Sequence, residues 1–142
     1  MSCELKTVLV LCTGNSCRSQ MGEAILNQVL AGRVRALSAG TAPQPQVAAG
    51  ALEALRLAGV PTAGLRPKSV EALLETRIDL VVSVCDNAQE TCPVFPRPVP
   101  RLHLPFHDPH GEPLASFIAV RDDIAARLVP AVVAALGLTE VA

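Results

Sequence analysis

Val8-Leu9-Val10-Leu11-Cys12-Thr13-Gly14-Asn15-Ser16-Cys17-Arg18-Ser19 is an apolar run that ends in a cysteine, followed by a short polar loop and by an arginine six positions after that cysteine. An amphipathic segment, Gln20 to Leu30, comes next. A strand that feeds a tight loop opening into a helix is an anion cradle. The loop amides and the helix N-terminus converge on one spot and favour negative charge there. Arg18 adds a planar fork for two anion oxygens. The same positive field favours the thiolate of Cys12, and the thiolate is the nucleophilic form. The stretch therefore predicts an oxyanion-binding loop of Thr13, Gly14, Asn15, Ser16, Cys17, Arg18 and Ser19, with Cys12 as the attacking group. An ordinary strand–loop–helix with a buried cysteine would not require Cys, a five-residue spacer, Arg and Ser to coincide.

The length of 142 residues suits one domain, 1–142, with one core. Lys+Arg number 12 against Asp+Glu 13 and no basic run exists, so nothing points to nucleic acid. Aromatics are 2%, with no Trp and no Tyr, so the core must be Leu, Val, Ile and Ala. Met1 to Lys6 lacks a basic n-region followed by an apolar stretch, and the apolar runs are too short to span a bilayer. The expectation is a cytoplasmic monomer with no membrane partner. Five cysteines in such a chain favour redox or nucleophilic chemistry over a disulfide framework.

Patterning predicts strands at Thr7–Leu11, Val34–Ser38, Leu80–Val84 and, more weakly, Leu102–Leu104. Helices are predicted at Ser16–Leu30, Gln46–Ala58, Val70–Glu75 with Ser69 as cap, and Pro113–Leu136 with Gly137 as stop. Pro130 removes a donor inside the last of these, which predicts a kink or break. Pro93 to Pro100 holds four prolines and is expected to be irregular. Alternating strands and helices predict an α/β fold, a four-stranded parallel sheet with helices on both faces. Its site belongs at the carboxyl ends of the strands.

That geometry makes a demand on the other cysteines. Cys12 and Cys85 each follow a predicted strand, at the same sheet edge. Cys92 lies seven residues beyond Cys85. A helical spacer would hold those two roughly 10 Å apart, beyond disulfide reach. Pairing them therefore requires the segment to unwind.

Cys12 to Ser19, continued by Gln20-Met21-Gly22-Glu23-Ala24, resembles the low-molecular-weight protein tyrosine phosphatase fold. The pair Cys85 and Cys92-Pro93 resembles the thioredoxin-coupled arsenate reductase branch of that fold, and Phe106-His107-Asp108-Pro109 resembles its acid loop. The resemblance covers essentially the whole chain. It implies arsenate as substrate, thioredoxin as reductant and no cofactor. Cys12 attacks arsenate held by the loop amides and Arg18, with Asp108 as general acid and Ser19 bonded to the Cys12 thiolate. Cys85 then attacks Cys12, and Cys92 draws the disulfide away for reduction. The rival reading is a tyrosine phosphatase. Such enzymes usually wall the site with aromatic rings, and here only Phe95 and Phe106 are expected near it. His103, His107 and His110 are close in sequence, but Pro105 and Pro109 argue against the helix that would gather them on a metal.

Some reductases of this family bind potassium beside the anion loop through an Asn, a Glu, a Ser and an Asp. Asn15, Glu23 and Ser38 match the first three, while the position aligned with the Asp, seventeen residues before Cys85, is Lys68. An ammonium has donors and no acceptor, so it cannot ligate a cation. Its charge is expected to stand where the ion would.

Overall fold

The computed structural model describes residues 5–84 and 98–138. Its strands are β1 (Lys6–Cys12), β2 (Val34–Gly40), β3 (Leu80–Ser83) and β4 (Arg101–His103). Its α-helices are α1 (Arg18–Val29), α2 (Ala49–Leu57) and α3 (Leu114–Leu136). The strands form one four-stranded parallel sheet in the order β2-β1-β3-β4. β1 is central because it is apolar on both faces: Val8, Leu9, Val10 and Leu11 are all fully buried.

Alternation along β1 divides the core in two. Val8, Val10 and Cys12 pack with Met21 and Ile25 of α1, Ala51 and Leu55 of α2, and Phe117, Ile124 and Leu128 of α3. Leu9 and Leu11 face the opposite side, against Val70, Ile78 and Val81. Three α-helices thus cover one face, and a short 3-10 helix, Val70–Leu73, covers the other. Each fully buried Leu or Met contributes about 1.5–3 kcal/mol, which lets a chain nearly without aromatics keep a core.

Two expectations are corrected. Val70–Glu75 is a 3-10 helix over Val70–Leu73, with Ser69 Oγ accepting the Glu71 N–H as its cap. Bonds from Ala72 to Ser69 and from Thr76 to Leu73 close tight turns. A segment this short cannot nucleate an α-helix cheaply and must turn at once into β3. Pro130 does not break α3, which continues to Leu136. Ile124, Leu128 and Val132 are fully buried on either side of the proline, so packing holds the helix together despite the lost donor.

Chain order reverses between β1 and β3, since β2 lies on one side of β1 and β3 on the other. In open parallel sheets such a switch point is where a ligand crevice forms, outside the carboxyl ends of the strands, and Cys12 ends β1 at that edge. Among the described residues, no helix is long and apolar enough to cross a membrane.

Candidate active site

Cys12 is the last residue of β1 and is almost fully buried. The loop after it is shaped by where its carbonyls go. Thr13 O accepts from Ala42 N at 2.9 Å, Gly14 O from Gln44 N at 2.9 Å and Ser16 O from Ala48 N at 2.8 Å. Asn15 O accepts from Gln20 Nε2 at 2.9 Å, and Cys17 O from Met21 N at 2.9 Å. Five consecutive carbonyls are bonded outward. Across each planar peptide the next N–H points the opposite way, so the amides of Gly14 to Arg18 turn inward around the Cys12 sulfur. The Asn15 N–H follows this rule, pointing to Cys12 Sγ at 3.2 Å. α1 has no side-chain cap and no acidic residue in its first turn, so its positive end adds to the same field.

Two local features make the loop possible. Asn15 has φ 49, the left-handed region that Asn tolerates better than most residues. Its conformation is held at every polar group. Its Oδ1 accepts the Lys68 N–H at 2.8 Å, its Nδ2 donates to Ser19 Oγ at 2.7 Å, and its backbone is bonded as above. Gly40, at the end of β2, abuts the loop so closely that a Cβ there would lie 2.5 Å from Thr13 O.

Ser19 Oγ lies 3.0 Å from Cys12 Sγ. Arg18 Nη1 donates to Phe106 O at 3.0 Å, and its Nη2 stands 3.6 Å from Asp108 Oδ2. The Arg18 side chain is 15% exposed and that of Asp108 53%, so the carboxylate faces the opening. Asp108 Oδ1 also accepts the His110 N–H at 3.1 Å, so one carboxylate both makes the turn around Pro109 and faces the arginine. Cys17 is buried, and burial pushes its thiol from the ordinary 9.0 up to about 12, with Arg18 pulling down less strongly and Asp108 adding to the rise. Cys17 therefore stays a neutral thiol near pH 7 and offers the site its backbone N–H.

A cleft of about 780 Å³ opens over the loop, lined by Cys12, Arg18, Asp108, the segment Gln44 to Ala49, His110 and Phe117. The expectation about aromatic residues is corrected here. Phe117, in the first turn of α3, reaches the cleft, while Phe106 serves through its carbonyl. Gly50 of α2 makes room for that ring, since a Cβ there would lie 2.6 Å from it.

The predicted loop residues, Arg18 and Asp108 thus meet at one place. Ser19 is fully buried beneath the loop. Cys85 and Cys92, with Phe95, lie outside the described residues. Val84 N donates to Leu11 O at 2.9 Å, so the residue before Cys85 lies beside the residue before Cys12. The three histidines go to different neighbours. His103 Nδ1 bonds Ser83 Oγ, His107 Nε2 bonds Glu112 Oε2, and His110 lines the cleft.

Asn15, Glu23, Ser38 and Lys68 do come together. Glu23 Oε1 accepts from Ser38 Oγ at 2.7 Å and stands 3.6 Å from Lys68 Nζ, with both charged side chains mostly buried. These residues do not fit a potassium ion, because the ammonium already meets the carboxylate that would ligate it.

Sequence reading missed the outer scaffold. The sequence offers Gln20 as a helix residue of the motif with no role of its own, yet its Nε2 also donates to Arg66 O at 2.8 Å and so ties the loop to a distant segment. The strap Ala42–Ala48 takes in the first residues of the helix predicted at Gln46–Ala58, whereas α2 begins only at Ala49. Pro43 and Pro45 carried its signal, since residues before proline favour the extended backbone that can lie along a loop.

Residues 7–137 match the model of the family described as low molecular weight phosphotyrosine protein phosphatase. Curated relatives named arsenate reductase include one from Bacillus cereus (strain Q1), 38% identical over 123 residues, covering 87% of this chain and 91% of the relative. Another, from Brevibacillus brevis, is 37% identical with the same coverage. Among solved structures, the arsenate reductase from Archaeoglobus fulgidus superposes with a TM-score of 0.75 at 29% identity, over 88% of this chain and 98% of that one. A tyrosine phosphatase from Erwinia amylovora reaches a TM-score of 0.77 at 20% identity, over 96% and 95%, and speaks to the fold alone.

Proposed function

This chain belongs to the low molecular weight phosphotyrosine protein phosphatase family, and on that premise we propose that it reduces arsenate to arsenite with electrons from thioredoxin. The observation that carries the reading is the Asn15 N–H aimed at Cys12 Sγ in a loop whose carbonyls from Thr13 to Cys17 are all bonded elsewhere, which implies a ring of inward amides closed by Arg18 and faced by Asp108. Such a ring fits a tetrahedral oxyanion, and Cys12 lies at its centre as nucleophile. The curated relatives named arsenate reductase, and the cysteines at 85 and 92, favour arsenate over a phosphate ester.

The chemistry runs as follows. The Cys12 thiolate attacks arsenic(V), and Asp108 protonates the departing oxygen, which leaves as water. The Cys85 thiolate attacks Cys12 Sγ. The new S–S bond forms as the S–As bond breaks, and its electron pair stays on arsenic, now arsenic(III). Cys92 attacks Cys85, releases the Cys12 thiolate and leaves a Cys85–Cys92 disulfide. Thioredoxin, a dithiol, reduces that bond and is itself oxidised. Without a relay step the same site would hydrolyse a phosphate ester slowly. A cleft of about 780 Å³ with Phe117 on its wall has room for an aryl group, so weak aryl phosphatase activity belongs to this reading.

The test is Cys12→Ser. An unassisted hydroxyl is a poor nucleophile here, so arsenate reduction and aryl phosphate hydrolysis should both vanish in a variant that still melts cooperatively. Substantial arsenate turnover by the serine variant would remove Cys12 from its role.

A further inference from the structure

Phe106 joins three parts of the molecule. Its N–H donates to Val84 O at 2.9 Å, its C=O accepts from Arg18 Nη1 at 3.0 Å, and its buried ring lies 4.6 Å beneath the Arg127 guanidinium. Arg127 also brings both fork nitrogens to 3.4 Å from Pro105 O. Asp123, one helical turn earlier on α3, aims the guanidinium by accepting from Arg127 Nη1 at 2.9 Å. Arg127 is not among the residues lining the cleft.

We propose that Arg127 is a positioning residue for the oxyanion site: it clamps the Pro105–Phe106 peptide onto α3 and so fixes the carbonyl that holds Arg18. The segment from Leu104 to Pro113 has no regular structure. Backbone bonds tie its start, Leu104 to Ser83 and Phe106 to Val84, to the end of β3. They leave the outer side of the peptide to be held by side chains. A guanidinium over an aromatic face is attracted by the ring, more so where the ring is desolvated. Moving the Phe106 carbonyl would move the Arg18 fork, whose value to an oxyanion depends on its aim. Asp108 follows two residues later and would shift with it.

This inference rests on Arg18 as the oxyanion-holding residue, and the experiment separates it from arsenate reduction. Inorganic phosphate is the probe, read by its protection of Cys12 against iodoacetamide in the full-length protein, well below the melting temperature. Arg127→Met keeps the stem and loses the charge and the fork. Its phosphate protection constant should weaken roughly three- to tenfold, with Arg127→Lys between it and the wild type. A role in stability alone would lower the melting temperature and leave the protection constant unchanged. A folded Arg127→Met with wild-type protection overturns the proposal. If that variant does not fold, Arg127→Lys decides, and protection equal to wild type overturns it. A wild type that binds phosphate yet reduces no arsenate would sink the proposed function while the protection constants still read the clamp.

Discussion

Ser19 Oγ stands 3.0 Å from Cys12 Sγ while accepting the Asn15 side-chain amide at 2.7 Å. Asn15 Nδ2 can only donate, so the hydroxyl keeps its own proton for the sulfur. Charge-assisted bonds of this kind favour the thiolate. Ser19→Ala should slow iodoacetamide alkylation of Cys12 at pH 7 roughly tenfold, in step with kcat. It also strands the buried Asn15 donor, at a cost of about 1–3 kcal/mol in stability. Alkylation at the wild-type rate would mean that the hydroxyl does not hold the thiolate.

The Lys68–Glu23 pair leads to a second expectation. The ammonium, 3.6 Å from Glu23 Oε1 and 15% exposed, supplies positive charge beneath the loop. Its backbone N–H meanwhile fixes Asn15. Activity should then be indifferent to potassium against sodium at constant ionic strength. Lys68→Asp, which restores an acceptor beside Glu23 and Ser38, should acquire a potassium requirement. Specific potassium activation of the wild type would contradict this account of Lys68.

The relay can be separated from the oxyanion chemistry. Cys85→Ser and Cys92→Ser should each stop repeated turnover of arsenate yet retain slow hydrolysis of an activated aryl phosphate, which needs only Cys12, Arg18 and Asp108. Given arsenate, Cys92→Ser should accumulate a Cys12–Cys85 disulfide, found by peptide mass mapping. Normal arsenate turnover by both variants would exclude the relay.

What was legible in the sequence was local. The segment Thr7–Leu11 could be read as a strand from its unbroken apolar run, Val8 to Leu11, and Cys12 to Ser19 could be read as a cradle because the amides that form it are its own. Asp108 was visible as a site residue through the acid-loop resemblance, and its turn-making half through Pro109. The supports were not legible, because each depends on a contact between segments far apart in sequence. Gln20 reaches Arg66, Arg18 reaches Phe106, and the strap after β2 accepts no pattern of period 2 or 3.6. The error over Phe117 has the same origin. Nothing in the spacing around Phe117 sets it apart, and only the meeting of α3 with Gly50 of α2 brings it to the cleft. The break expected at Pro130 does not occur because intrinsic propensity ignores the burial of Ile124, Leu128 and Val132.

The most direct test of the central claim is arsenate-dependent NADPH oxidation by the purified protein with thioredoxin and thioredoxin reductase, with arsenite measured in the same samples. The account predicts NADPH consumption that requires arsenate, matches the arsenite formed, and disappears in Cys12→Ser and Cys92→Ser. Hydrolysis of an aryl phosphate by the same preparation with no arsenite formed would contradict it and leave a phosphatase.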